Sequence, residues 1–579
     1  MCGILYAKVK SNLKNDEIFK SSFIDALDLM SYRGPDAKGI EVINNHYFGH
    51  VRLSIVDLNE TSNQPYQDND CLMIFNGEIY NFKELDPSSN SDTKTLFSSM
   101  KTMENPFQKL RGMFAFGWFD KKNENISFYR DFFGEKPLYY YSDNEIDIVS
   151  STIKSIVHLV RATGKELKLN IDKIKKDFFL FGYLREPSTI WENISAVPPG
   201  HRLHFNEGKV NIDSLFFDVK SSNFLWNKSH YIKNTFISTD VPGTLLLSGG
   251  IDSTFLLANA FENKISLHLG IYKANDPLID ESPSALDNIS KMKLNQDQFP
   301  INVLSGAEIE KLDIDGFVKI LEQPSSAGLQ VFHLLEHLKG KQPNLKLVYT
   351  GLGGDELFGG YPTFYNFKKI NFLIHIPFIE YFLPAIKRFK VGKKMLKSWD
   401  ADIYSFLYRI NFKMFRELFS NDEKLEDIYK EYRFSLNKIP KELLTNFQKN
   451  PLSDIKKNEM FQYGMNQLIR DNDNIAMHFG LESRSPLLNP DWYNQKPDKK
   501  FRLKNVLKLN YNIQFGKKKG FTLDEPMHKK VYIDYINLNK KYLEPIEISE
   551  RFNFAQNNVA ELRTLAILCG WLKYNYSIC

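Results

Sequence analysis

The chain has 579 residues, of which 42% are apolar and 25% charged. At ~100–200 residues per domain, that globular balance supplies core for two to four domains. The net charge of +5 comes from 75 Lys and Arg interleaved with 70 Asp and Glu, so nothing demands nucleic acid or an anionic membrane as partner.

The four cysteines, Cys2, Cys71, Cys569 and Cys579, make neither a zinc spacing nor a disulfide framework. That fits a reducing, cytoplasmic compartment. No basic segment followed by an apolar stretch opens the chain, so no secretory signal is expected. The apolar patch at 370–386 is broken by His, Pro and Glu, which predicts a buried helix pair rather than a membrane span.

The first eight residues read MCGILYAK. Ile4–Ala7 predicts a buried strand. Cys2 is then either a small hydrophobe at the strand's start or, once Met1 is removed, a residue with both a thiol and a free amine. KSSFIDALDLMSYRG predicts a helix. HYFGHVRLSIVD, CLMIFNGEIY, RGMFAFGWFD, ISFYRDFFG and KPLYYYS follow as strands, being aromatic and β-branched runs punctuated by Gly, Asn and Asp. Residues 198–213 predict a hairpin with NEG at its turn. A polar linker and entry helix occupy 216–240.

Beyond it the pattern changes to strands alternating with helices, which indicates a parallel α/β sheet. In LLLSGGIDST (245–254) a strand ends at Ser248, two glycines follow, and a helix starts near Asp252. Glycines let the backbone approach a ligand, and amides at a helix N-terminus bind anions. Ser248 and Ser253 add hydroxyls. Asp252 would repel a bare phosphate and makes sense with Mg²⁺ between them. The string lacks the Lys of the GxxxxGK[ST] loop, which excludes kinase-type and GTPase-type sites.

TGLGGDELFGGY (350–361) is a second glycine turn behind a strand, carrying Asp355 and Glu356. Two such turns point to one shared metal–phosphate site. Residues 362–480 predict mostly helix. FGKKKGFTLDEP (515–526) places three lysines before Gly520, any of which could neutralise charge at a phosphate.

Cys2, SGGIDS and GGDELFGGY together resemble glutamine-dependent asparagine synthetases over nearly the whole length. Further matching strings are YRGPD (32–36), GHVRLSIVD (49–57), NQP (63–65), FNGEIYN (75–81), SDT (91–93), LRGMFAF (110–116), RDFFGEKPLYY (130–140), RDNDNIAM (470–477) and GLESRSPLL (480–488). The resemblance implies a four-layer αββα Ntn-hydrolase glutaminase domain over 1–215 and a linker over 216–235. It implies an α/β ATP-pyrophosphatase domain with a largely helical insertion over 236–579.

In the glutaminase it implies Cys2 as nucleophile, with its own α-amine as base. Asn76 and Gly77 would form the oxyanion hole. Arg52, Asn76, Glu78 and Asp92 would bind glutamine. In the synthetase it implies that Leu247, Ser248, Gly249, Gly250, Asp252, Ser253, Leu269 and Gly351 bind ATP, with Leu247 and Leu269 at strand ends near the adenine. Asp252 and Asp355 would bind Mg²⁺, and Lys518 would serve the adenylate step. The substrates would be glutamine, ATP and a carboxylic acid, aspartate favoured, with a homodimer admitted.

SGGIDS argues against a glutaminase joined to a sugar isomerase or a phosphoribosyltransferase, since neither reaction needs an adenylating loop. The intact site strings argue against a non-catalytic regulator. The asparagine-forming relatives usually read Ser-Gly-Glu-Gly before the Asp-Glu pair, whereas this chain reads Thr350-Gly351-Leu352-Gly353-Gly354. Leu352 cannot take a proton, and Asn474 stands where relatives often have Arg. The stretch between KEL (83–85) and SDT is also short. These departures bear on the acceptor, so another carboxylate, a cell-surface sugar acid or a peptide, is the alternative substrate.

Overall fold

The computed structural model describes residues 2–10, 16–206, 209–215, 230–374 (except 275, 278 and 306–311), 400–410, 425–436, 451–515 (except 494 and 499), 528–546 and 559–576. The apolar patch beyond 374, most of the linker, and the lysine run with Lys518 lie outside the described residues.

Twelve strands build two antiparallel sheets. They are β1 (Gly3–Val9), β2 (Ala37–Ile43), β3 (His46–Arg52), β4 (Tyr66–Gln67), β5 (Cys71–Ile79), β6 (Gly112–Asp120), β7 (Asn125–Arg130), β8 (Tyr139–Ser142), β9 (Ile146–Ser150), β10 (Ser195–Ala196), β11 (His201–Asn206) and β12 (Lys209–Ser214). The first sheet has the order β10-β8-β9-β1-β3-β2, and the second β12-β11-β7-β6-β5-β4. The expected 198–213 hairpin is β11–β12.

Successive side chains on a strand face opposite ways. In β1, Ile4 and Tyr6 meet Ile74, Phe119 and Phe128 of the second sheet, so the sheets stack. Leu5 and Ala7 face the other way, into the core that includes Phe19, Phe23 and Leu27 of the helix Asp16–Asp28. That is why Ile4–Ala7 is apolar without alternation: the strand is covered on both faces. The helix Ile153–Ala162 packs beside Asp16–Asp28, and the helix Asp92–Thr102 packs on β5.

The third sheet is parallel, ordered β15-β14-β13-β16-β17, from β13 (Gly243–Leu246), β14 (His268–Lys273), β15 (Ile301–Ser305), β16 (Leu347–Tyr349) and β17 (Glu482–Arg484). The chain runs outward from β13 to β14 and β15, then returns to add β16 on β13's other edge. Ligands bind in open α/β sheets where the order reverses in this way. The turns after β13 and β16 are SGGIDS and TGLGGDE.

Leu269 is the second residue of β14, opposite Leu245 and fully buried, and the strand runs on to Lys273. Among the described residues no helix is long and apolar enough to cross a membrane.

Candidate active site

Cys2 lies at the tip of β1, beside β5. Its N–H donates to Asn76 Oδ1 at 3.2 Å, and its carbonyl accepts from Arg33 Nε at 3.1 Å. Asn76 Nδ2 donates to Ser151 Oγ at 3.4 Å, and the same hydroxyl accepts from the Ile4 N–H at 3.0 Å. The backbone of the residue is thus held from both sides. Burial pushes the Cys2 thiol up; the ammonium at the chain start, the Leu53 N–H and Arg52 pull it back, and Glu78 pushes it further.

Asn76 and Gly77 stand opposite Ala115 and Phe114 of β6. Gly77 has φ +152°, and a Cβ there would lie 2.1 Å from the Met113 carbonyl oxygen. Only glycine lets the two strands close at that point. Glu78 is buried and its carboxyl is pushed well up, first by desolvation, then by Glu482 and Asp92. Arg484 opposes this, with Nη2 3.5 Å from Glu78 and Nε 2.5 Å from Glu482.

Asp92 opens the helix Asp92–Thr102 behind the N-cap Ser91. Burial lifts its carboxyl to about 6, against N–H donation from Ile79 at 3.1 Å and from Thr93 at 2.7 Å and a bond with Glu78. The Arg52 guanidinium donates to the carbonyls of Asn59 (2.8 Å), Val56 (3.4 Å) and Asp57 and to Asn63 Oδ1 (2.7 Å). Cys2, Arg52, Asn76, Gly77, Glu78 and Asp92 therefore form one buried cluster.

The second cluster is at the parallel sheet. The helix Ile251–Glu262 starts behind Gly250. Gly249 has φ +76°, and a Cβ there would lie 2.5 Å from the Ala285 nitrogen. The Ser248 and Ser253 hydroxyls are 3.2 Å apart, and Ser248 Oγ accepts from the Gly250 N–H at 3.2 Å. A Cβ on Gly351 would lie 3.0 Å from Asp252 Cβ, so the two turns touch. Leu247 is buried just past β13, and Leu352 is partly exposed in the second turn.

Asp252 and Asp355 both ion-pair with the ammonium of Lys500. Lys500 is buried, precedes the helix Phe501–Tyr511 and has φ +61°. Desolvation would lower its amine, but the two carboxylates outweigh that and raise it. Two hard carboxylates converging on one cation fit Mg²⁺, which is commonly held by one or two carboxylates plus phosphate and water. Among the described residues no group of three or more His, Cys, Asp and Glu is arranged to hold a metal ion.

Sequence reasoning missed Lys500, which stands in PDKKF with no motif around it. It also gave no role to Arg33, Asp473 and Arg484. These lie inside the strings YRGPD, RDNDNIAM and GLESRSPLL, so a signal was present without an assignment.

A small cavity lies beside Ser151, lined by Arg33, Ser151, Glu322, Arg470, Asp473 and Asn474 among others. Ser151 is the residue bonded to Asn76, and the last four belong to the second half of the chain.

Two family models match. The glutamine amidotransferase domain covers residues 1–216, and asparagine synthase covers 234–491. Asparagine synthetase [glutamine-hydrolyzing] 1 of Bacillus subtilis is 26% identical over 536 residues, spanning 84% of this chain and 79% of that protein. Asparagine synthetase [glutamine-hydrolyzing] 3 of the same organism is 27% identical, over 63% of this chain and 64% of its own. Amidase chry2 of Gibberella zeae is 28% identical, over 58% of this chain and 55% of its own.

A glutamine amidotransferase half joined to an asparagine-synthase half is the class that these matches and the two sheet systems define. The chain belongs to the glutamine-dependent asparagine synthetase family, a family of ATP-dependent ligases that hydrolyse glutamine.

Proposed function

We propose that the chain is a glutamine-hydrolysing asparagine synthetase. Residues 1–215 would be the glutaminase, in a four-layer αββα arrangement, 216–235 the linker, and 236–579 the synthetase. The observation that carries this reading is the contact between Cys2 N and Asn76 Oδ1. It sets a thiol, its own nitrogen and an amide side chain around one point.

With Met1 removed, the Cys2 α-amine takes the thiol proton and the thiolate attacks the glutamine side-chain carbonyl. Amine and thiol have reference pKa values of about 8 and 8.5, close enough to exchange a proton near neutrality. Asn76 Nδ2 and the Gly77 N–H stabilise the oxyanion. The C–N bond breaks, ammonia leaves, and water clears the thioester to give glutamate. Arg52 faces the α-carboxylate, and Asp92 and Glu78 the α-amine.

Ammonia then crosses the cavity beside Ser151. At the second cluster the Ser248–Ser253 loop and the amides of the Ile251–Glu262 helix hold pyrophosphate oxygens. Leu247 and Leu269 flank the adenine, and Gly351 lets the second turn close on the phosphates. Mg²⁺ held by Asp252 and Asp355 would neutralise charge on the departing pyrophosphate. Lys518 is assigned to the adenylate step by resemblance. The carboxylate displaces pyrophosphate from ATP, ammonia displaces AMP, and the amide leaves. The scarcity of cysteines supports a cytoplasmic setting, and a homodimer is part of the same reading.

A second reading, the same chemistry on another carboxylic acid, is favoured by Leu352, an apolar side chain where those relatives carry a glutamate. The test supplies purified protein with glutamine, ATP, Mg²⁺ and either aspartate or other acids, and follows pyrophosphate and product. Asparagine is expected. Glutamine-dependent AMP formation only with another acid would move the assignment to the second reading. Cys2→Ala should abolish glutamate release and retain ammonium-dependent pyrophosphate release.

A further inference from the structure

Cys2 is held by a residue that is itself held from the other half of the chain. Arg33 donates through Nε to the Cys2 carbonyl at 3.1 Å and through Nη2 to Asp473 Oδ2 at 2.9 Å. Asp473 Oδ1 accepts from Lys136 Nζ at 3.1 Å. Arg33 and Lys136 are each 1% exposed and Asp473 4%. A guanidinium is planar, so two anchored nitrogens set its whole orientation. Burial alone would raise the Asp473 carboxyl; the two cations outweigh it and hold it below the usual carboxylate range.

Asp473 sits on the helix Arg470–His478, which is tied to both halves. Arg470 donates to the Leu184 carbonyl at 3.1 Å, Asn474 to the Ile320 carbonyl at 3.2 Å, and Asn472 to Ser483 Oγ of β17 at 2.8 Å. The glutaminase half thus ends its own support for Cys2 at Arg33. The charge that orients Arg33 comes from the synthetase half.

The geometry points to Asp473 as a positioning residue for the Cys2 nucleophile, acting through Arg33 on the orientation of the Cys2 peptide and so of the thiol. This rests on the reading of Cys2 as the glutaminase nucleophile. Glutamine binding groups lie elsewhere, on Arg52, Glu78 and Asp92. Loss of the Asp473 charge should therefore lower turnover rather than glutamine binding. A misplacement of about 1 Å costs up to ~100-fold in rate, and a loosened but still bonded Arg33 should cost less.

The experiment measures glutamate release and, separately, ammonium-dependent pyrophosphate release in the full-length protein. Asp473→Asn is expected to lower kcat for glutamine about tenfold with KM within about twofold. Ammonium-dependent release should stay within about twofold. Arg33→Met should lower the same kcat, and the double variant should be no worse than Arg33→Met alone, because both act on one contact.

Unchanged glutamine turnover in Asp473→Asn, additive losses in the double variant, or equal losses in both activities would each overturn the assignment. If Asp473→Asn yields no folded protein, the test reads Lys136→Met/Asp473→Asn against Lys136→Met, which keeps the net charge of the native trio. Cys2→Ala separates the two levels. Glutamate release surviving in that variant overturns the nucleophile reading itself. A dead Cys2→Ala beside an unaffected Asp473→Asn overturns only the positioning role.

Discussion

The ammonium of Lys500 is ion-paired with Asp252, 248 residues earlier in the chain, and its second carboxylate is Asp355. The lysine occupies the place from which a divalent cation would neutralise the pair. Removing one partner of a buried pair leaves uncompensated charge and costs about 3–5 kcal/mol. Lys500→Met should lower the melting temperature in chelator and recover part of the loss on adding Mg²⁺, by a larger step than the wild type. Differential scanning fluorimetry with and without Mg²⁺ reads this. An equal Mg²⁺ response in both proteins would count against Asp252 and Asp355 as the metal pair.

The Asp92 carboxyl, lifted to about 6 by burial against an ordinary 3.8, carries a pH signature. Raised in the folded state, it binds its proton more tightly folded than unfolded. Its contribution to stability therefore falls as pH rises from about 4 to about 6. On the proposed reading, glutamine's α-ammonium pairs with the ionised form. The KM for glutamine should climb about tenfold per pH unit below about 6, measured by glutamate release. Asp92→Asn should raise KM and flatten this limb. A wild-type KM independent of pH between 5 and 7 would remove Asp92 from the pocket.

Gly249 separates the two halves experimentally. Its φ of +76° and the 2.5 Å approach to the Ala285 nitrogen leave no room for a Cβ. A side chain in such a conformation costs about 1–3 kcal/mol, and here it would also push the loop away from the phosphates. Gly249→Ala should abolish pyrophosphate release with either nitrogen source. Glutamate release without ATP should survive. Loss of both would show that the strain spreads through the fold.

Phe23 is fully buried on the helix Asp16–Asp28, with its ring centroid 5.5 Å from that of Tyr47 on β3. Phe23→Ala should cost about 3–5 kcal/mol in urea unfolding. Helix and strand together support β1, which carries Cys2 at its tip, so glutamate release should fall at urea concentrations that the wild type tolerates.

Where side-chain periodicity and turn residues speak locally, the sequence was readable. Ile4–Ala7 and Cys71–Ile79 are strands because their apolar runs are covered on both faces. The β11–β12 hairpin and the helix behind SGGIDS fall where turn and glycine chemistry put them. The strand before SGGIDS ends at Leu246, two residues earlier than its apolar run suggests, because its pairing with β16 stops at Leu245 and that with β14 at Leu246.

By itself the sequence determined where the strings offered for chemistry stand: Cys2 before a strand, Asn76-Gly77-Glu78 on another, Ser248–Ser253 and Gly351–Asp355 after two more. Each is a local backbone problem solved by residues within one turn of one another. Only the tertiary structure decided that Lys500 closes the Asp252–Asp355 pair, that Arg484 reaches Glu78, and that Asp473 orients Arg33 behind Cys2. Those are buried ion pairs between residues far apart in the chain. A charge's partner is set by where two elements dock and how much water they exclude, and neither leaves a periodicity or spacing to read.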